Sequence, residues 1–224
     1  MEQKKLWDYY QAEGKSIFGG SYLRLHFLAS RCKKKEKVLN IGIGGGLFEK
    51  IALHKGLDIY SLDPSENAIE ELTHIIGIEK ARVGFSNKIP FLDNFFDVVI
   101  MSEVLEHLEG DVLKETFREV YRVLRKGGRF MGTVPNDEVL SESIIICPGC
   151  GNRFHRWGHL QQFNKYNLRE MLQNTFLCVS VVKRGWLSRE RLNVLTWIYS
   201  RLNDLLYKLN MRRYKANLFF CCKK

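Results

Sequence analysis

Val38-Leu39-Asn40-Ile41-Gly42-Ile43-Gly44-Gly45-Gly46, followed by Leu47-Phe48-Glu49-Lys50, is the stretch that decides the fold. A short apolar run passes into glycines at alternate positions and then into a helix-like pattern. That order predicts a buried strand over 37–43, a tight turn, and a helix over 47–55. Glycines at 42, 44 and 46 carry no Cβ, so the backbone can turn sharply and approach a ligand closely. The helix start behind the turn offers unpaired N–H groups to whatever binds there. A dinucleotide fingerprint, G-x-G-x-x-G, would need glycine at 47, where Leu47 stands. The run is G-x-G-x-G instead.

Outward from this turn the chain keeps a βαβ rhythm. The segment 57–63 predicts a second strand, stopped by Pro64. Asp63, at its carboxyl end, follows the glycines by the spacing that lets a carboxylate accept hydrogen bonds from ribose hydroxyls. An ordinary helix cap, with Ser65 competing for it, is the other reading of Asp63. Further helices are predicted over 66–76 and 111–124, the second closed by Arg125-Lys126-Gly127-Gly128 as a helix C-terminus should be. Strands are predicted over 81–85, 96–102 and 129–135. Beyond them come a helix over 167–173, a strand over 176–183, and a last strand over 216–222 at the sheet edge.

The G-x-G-x-G turn resembles the first motif of class I S-adenosylmethionine-dependent methyltransferases. That motif is usually written with Asp or Glu two residues before the first glycine, where this chain has Asn40. The run Ile89-Pro90-Phe91-Leu92-Asp93-Asn94-Phe95-Phe96-Asp97-Val98-Val99 resembles the same family, as does the stretch 121–136. Glu103-Val104-Leu105-Glu106-His107-Leu108 resembles its small-molecule branch, which includes ubiquinone-type O-methyltransferases. The resemblance covers 37–136 with its motifs in order. It implies an α/β, Rossmann-like, doubly wound sheet, mostly parallel with an antiparallel last strand.

It also implies S-adenosylmethionine as cofactor, held by Asn40, Gly42, Gly44, Gly46, Asp63 and Pro64. Ser86 and Asn87 are expected near the adenine, where the family's usual Asp is absent, and Ser102 and Glu103 near the methionine end. Glu103, Glu106 and His107, spaced i, i+3, i+4, would share a face on a helical turn, with His107 a candidate base. A solvated acidic helix start, favoured by the helix dipole, is the competing reading.

The segment 137–162 is an insertion. Cys147-Pro148-Gly149-Cys150 has a knuckle's composition, and His155 and His159 follow at C-x4-H-x3-H spacing. Four such ligands suit tetrahedral, structural zinc, so Cys147, Cys150, His155 and His159 are the candidate metal set. His159 also stands where many members of the family place a histidine facing the acceptor, which makes catalysis its alternative role. Buried free thiols with incidental histidines would be the plain reading.

The chain therefore divides into an N-terminal helical lid (1–36), a cofactor-binding core (37–136), the insertion (137–162), and the remainder (163–224) with a basic amphipathic helix over 188–210. Packing on the sheet competes with the lid reading of the aromatic-rich lead-in. Nine of the ten net positive charges fall between 183 and 224. There Leu192, Leu195, Tyr199, Leu202, Leu206 and Leu209 form a stripe suited to packing on the domain, a homodimer, or an anionic membrane surface. No secretory signal or run of about 18 apolar residues is visible, so a cytoplasmic protein is expected, with the inner membrane face as alternative. Methyl transfer to an oxygen or nitrogen of a small molecule, or of a glycan or lipid-carried intermediate, is the expected activity. No N/D-P-P-Y/F/W tetrapeptide follows the fourth strand, which disfavours nucleic acid as acceptor. RNA methylation and a non-catalytic cofactor-binding partner protein are the rivals.

Overall fold

Strand β1 (Lys37–Ile41) is buried from Val38 to Ile41 because it pairs on both sides, with β2 (Asp58–Asp63) and with β4 (Phe96–Ser102). The computed structural model describes residues 9, 21–186, 198, 202 and 217–224. The sheet built around β1 has seven strands in the order β3-β2-β1-β4-β5-β9-β8, with β3 at Ala81–Val83, β5 at Leu124–Pro135, β8 at Leu177–Arg184 and β9 at Asn217–Lys223. The pairings from β3 to β5 are parallel, and β9 runs antiparallel to both β5 and β8. The doubly wound, mostly parallel sheet expected from the sequence is thus present. One detail differs: the last strand lies inside the sheet, between β5 and β8, and β8 takes the edge.

Parallel strands covered on both faces must be apolar on both, and β4 is. Val99 and Met101 enter one core; Val98 and Ile100 enter the other. Leu28 and Ala29 of α1 (Tyr22–Ser30), Phe48 and Ala52 of α2 (Leu47–Lys55), and Ile69, Leu72 and Ile76 of α3 (Glu66–Ile76) cover the second face. Leu113, Phe117, Val120 and Val123 of α4 (Gly110–Val123) and Leu168 and Leu172 of α5 (Lys165–Gln173) cover the first. Each fully buried Leu, Ile, Val or Phe side chain among these contributes roughly 1.5–3 kcal/mol. Asn164 and Asn167 close the start of α5 in a reciprocal capping box, which begins it two residues before the expected 167.

Arg125-Lys126-Gly127-Gly128 does not cap a helix. α4 ends at Val123, and these residues form an irregularity in β5, where the register jumps from Phe96 opposite Leu124 to Val98 opposite Arg129. Arg122, one residue before the helix ends, pins the preceding loop: its guanidinium donates to both carboxylate oxygens of Glu119, to Asp93, and to the carbonyls of Ile89 and Phe91. The insertion folds as a hairpin, β6 (Ile144–Ile146) paired antiparallel with β7 (Arg153–His155). Most of the lead-in, including Trp7, Tyr10 and Phe18, lies outside the described residues, as does the tail stripe except for Leu202. Among the described residues no helix is long and apolar enough to cross a membrane.

Candidate active site

Strand order reverses between β1 and β4, and the crevice beyond the carboxyl ends of strands at such a point is where open α/β sheets bind ligands. A cavity of about 280 Å³ lies there, close to the lower end of small-molecule clefts at about 300–1,000 Å³. Its wall includes Asn40, Gly42, Gly44, Asp63, Pro64, Ser86, Ser102, Glu103 and His107 from the expected set. Gly46, Asn87 and His159 are not on it.

The glycine turn has φ of 84° at Gly42, 53° at Gly44 and 70° at Gly46, all in the region that disfavours a Cβ. At Gly42 a Cβ would also lie 2.5 Å from Cγ2 of Val104, so the turn and the loop after β4 are packed against each other. Asp63 is 2% exposed and fastens the turn from β2. Its Oδ2 accepts the Ile43 N–H at 2.9 Å and its Oδ1 accepts the Ser65 N–H at 2.9 Å. Ser65, not Asp63, caps α3 by accepting from Ala68. Asp63 thus ties the turn to the end of β2 and also lines the cavity.

Asn40 touches the cavity wall, but its side chain faces inward: Nδ2 donates to Oε1 of Glu49 at 2.7 Å. The same oxygen accepts from Ser61 at 2.9 Å, and Oε2 of Glu49 is buried without a partner among the described residues. Burial raises the Glu49 carboxyl above its ordinary range, and the Asn40 hydrogen bond opposes that rise. The acid missing from β1 therefore has a counterpart on α2. Nothing in the spacing of the glycine motif announced it.

At the end of β4 the backbone turns through Glu103, whose φ of 57° is uncommon for a residue with a side chain. Its N–H donates to the Thr133 carbonyl, and its Oε2 accepts from Asn217 at 2.8 Å with the Arg24 guanidinium 3.8 Å away. Arg24 Nε also donates to Ser102 Oγ at 3.1 Å, so α1 reaches over the cavity and holds both residues. Arg24 carries no motif signal. Because Glu103 precedes the 3-10 turn Leu105–His107, Glu103, Glu106 and His107 do not share a helical face as expected. On the opposite wall Ser86 is buried against Thr116, their hydroxyls 2.8 Å apart. Asn87 is off the cavity wall and donates to Glu115 on α4.

His107 is held with Nδ1 3.2 Å from the Gly158 carbonyl. Burial, and then the neighbouring His159, push it down to about 3. A histidine so shifted is neutral near neutral pH. Glu106 is 1% exposed, and burial, then Glu103, raise its carboxyl well above the usual range.

The four-ligand zinc set is not assembled either. Among the described residues the groups able to share a metal are Glu106–His107–His159 and Glu138–His155–His159, neither with a cysteine. The hairpin explains this. Cys147 sits beyond the Ile146–Arg153 end, whereas His155 pairs with Ile144, three residues before Cys147 and about 10 Å away along the strand at 3.3 Å per residue. Cys147 and Cys150 stay together at the tip, where the backbone N–H groups of Cys150 and Gly149 lower the Cys147 thiol below its ordinary range. Glu138, which holds His159, belongs to no spacing motif.

Residues 39–132 match the family model described as a methyltransferase domain. Sterol 24-C-methyltransferase erg-4 of Neurospora crassa is 32% identical over 155 residues, 62% of this chain and 40% of that protein. The chain spans about a third to a half of the curated relatives it matches first. Among solved structures, a chain of the complex between the Haloferax volcanii Trm112 methyltransferase activator and a methyltransferase superposes with a TM-score of 0.68 at 18% identity, over 97% of this chain and 96% of that one. An S-adenosylmethionine-dependent methyltransferase from Archaeoglobus fulgidus superposes with a TM-score of 0.64 at 20% identity, over 99% of each chain. The chain is thus similar to a methyltransferase domain over residues 39–132 and shares the fold of solved S-adenosylmethionine-dependent methyltransferases over nearly its whole length.

Proposed function

We propose that the protein is an S-adenosylmethionine-dependent methyltransferase acting on an oxygen or nitrogen of a small molecule, or of a glycan or lipid-carried intermediate. The observation that carries the reading is the cavity at the switch point, where the glycine turn, Asp63 and Glu103 converge from β1, β2 and β4. When bound, S-adenosylmethionine supplies a methyl group on a sulfonium, which an acceptor lone pair can displace. In this reading Asp63 accepts from the ribose hydroxyls, the turn lets the backbone close on the ligand, and Phe85 and Ser86 flank the adenine. Glu103, fixed by Asn217 and close to Arg24, faces the cationic methionine end. The chain contributes alignment and water exclusion more than reactive groups.

Incubating the protein with methyl-labelled S-adenosylmethionine and fractionated cell extract tests the reading. Label is expected in the small-molecule or glycan and lipid fractions. Label confined to RNA would overturn the acceptor class, and cofactor uptake with no label in any fraction would favour the non-catalytic binding protein.

A further inference from the structure

Cys147-Pro148-Gly149-Cys150 takes no part in the cavity wall and stands at the tip of the β6–β7 hairpin. The loop is closed across its base: the Cys147 N–H donates to the Asn152 carbonyl at 2.8 Å, and the Gly151 N–H donates to the Cys147 carbonyl at 2.9 Å. Gly151 takes a φ of 72°, which lets the chain turn back there. Inside the loop the backbone N–H groups of Cys150 and Gly149, and the Cys150 thiol, face the sulfur of Cys147. Both cysteines are free, Cys147 partly exposed and Cys150 exposed. Two sulfurs on one tight turn, one of them met by backbone N–H groups, make half of a tetrahedral thiolate site.

This chain does not supply the other half. Every cysteine and histidine of the sequence lies among the described residues. Among those residues neither group able to share a metal contains a cysteine. Cys32 and Cys222 are buried in the core, and Cys178 and Cys221 belong to β8 and β9. His155 and His159 turn to Glu138 at the base of the hairpin. The same hairpin also leaves apolar surface uncovered: Ile144, Ile145 and Ile146 are all exposed, in a sheet of only two strands. A two-stranded hairpin is marginal by itself, and adjoining exposed isoleucines mark a contact surface. Ile146, the most exposed of the three, is the neighbour of Cys147.

We propose that two copies of this chain meet tip to tip and that one zinc ion joins them through Cys147 and Cys150 of each copy. Structural zinc takes four ligands, and thiolates suit it. A second copy is the partner that necessarily carries the matching half: an isologous contact brings the same two sulfurs from each side, and the set closes. The tip has room for this approach, because a Cβ added at Gly151 would meet nothing within 4 Å. Four thiolates around one zinc leave net negative charge, and Arg153, opposite Ile146 in the hairpin register, stands nearby in each copy to offset it. As the tips close, Ile146 of each copy is covered. The insertion is then an assembly device. This pairing is separate from the proposed methyl transfer and would stand whatever the cavity bound.

Titration of the metal-stripped, reduced full chain with zinc, and with cobalt as a spectroscopic probe, tests this while sedimentation velocity reports the mass. One zinc per two chains is expected, with a monomer-to-dimer shift that saturates at that ratio and cobalt bands of thiolate charge transfer. Cys147→Ser and Cys150→Ser should each abolish the zinc-linked dimer. Ile146→Lys should weaken it roughly tenfold or more, since each copy loses a covered isoleucine. A melting transition matching the metal-free parent's shows that each variant is folded. One zinc per chain on a monomer, no zinc uptake, a cobalt spectrum without thiolate bands, or a dimer that survives loss of either cysteine would overturn the proposal. An Ile146→Lys chain that pairs as tightly as the parent would overturn the tip-to-tip contact.

Discussion

Asn40→Asp, which restores the acid usual in the glycine motif, is expected to destabilise the protein by about 2–4 kcal/mol at pH 7, the cost of holding one of two buried carboxyls in its protonated form. The substitution exchanges an amide that donates to Glu49 at 2.7 Å for a second carboxylate in the same buried place. Two carboxyls at that separation cannot both ionise, so one must keep its proton. Burial already raises Glu49. The linkage has a definite sign: a carboxyl whose folded pKa is raised binds more protons folded than unfolded, so stability falls as pH rises. The penalty should be full above the raised pKa and fade as pH falls toward about 4. Adding Glu49→Gln supplies a neutral partner that donates to the introduced carboxylate and accepts from Ser61, and should recover most of the loss. Denaturant midpoints of the single and double variants at pH 7 and pH 5 measure this. An Asn40→Asp protein as stable as the parent at pH 7 would show that the buried pair is not coupled.

Asp63→Ala is expected to lower affinity for S-adenosylhomocysteine by about two orders of magnitude or more. Two hydrogen bonds from ribose to a charged acceptor are worth roughly 1.5–3 kcal/mol each. The same change strands the N–H groups of Ile43 and Ser65, so the turn itself loosens. Asp63→Asn separates these effects, because one oxygen remains as acceptor, and should lose less of both stability and affinity. Thermal shift with and without S-adenosylhomocysteine measures them together: the ligand-induced stabilisation should vanish in the Ala variant. A parent-sized shift in Asp63→Ala would remove the carboxylate from the binding site.

What could be read from the chain and what could not follow from how far each signal reaches. The glycine turn and Asp63 are tied by local rules of strand length and turn chemistry, and the structure joins them through the Ile43 N–H. The place of β9 depends on chain between 187 and 216, so spacing could not say that it enters between β5 and β8. Basic residues followed by glycines cap helices and also make irregularities in strands; here α4 had already ended at Val123. The knuckle spacing counted residues along the chain, whereas the hairpin register sends Cys147 to the tip and His155 to the base. Glu49 and Glu138 sit in no motif. Only the fold reveals that one stands under the glycine turn and the other behind His159.

Calorimetric titration of S-adenosylhomocysteine into the folded, unmodified chain tests the central claim most directly. Saturable one-to-one binding, abolished by Asp63→Ala while the variant keeps its melting transition, is the predicted result. Absence of any binding heat or ligand-induced stabilisation in the folded parent would contradict it.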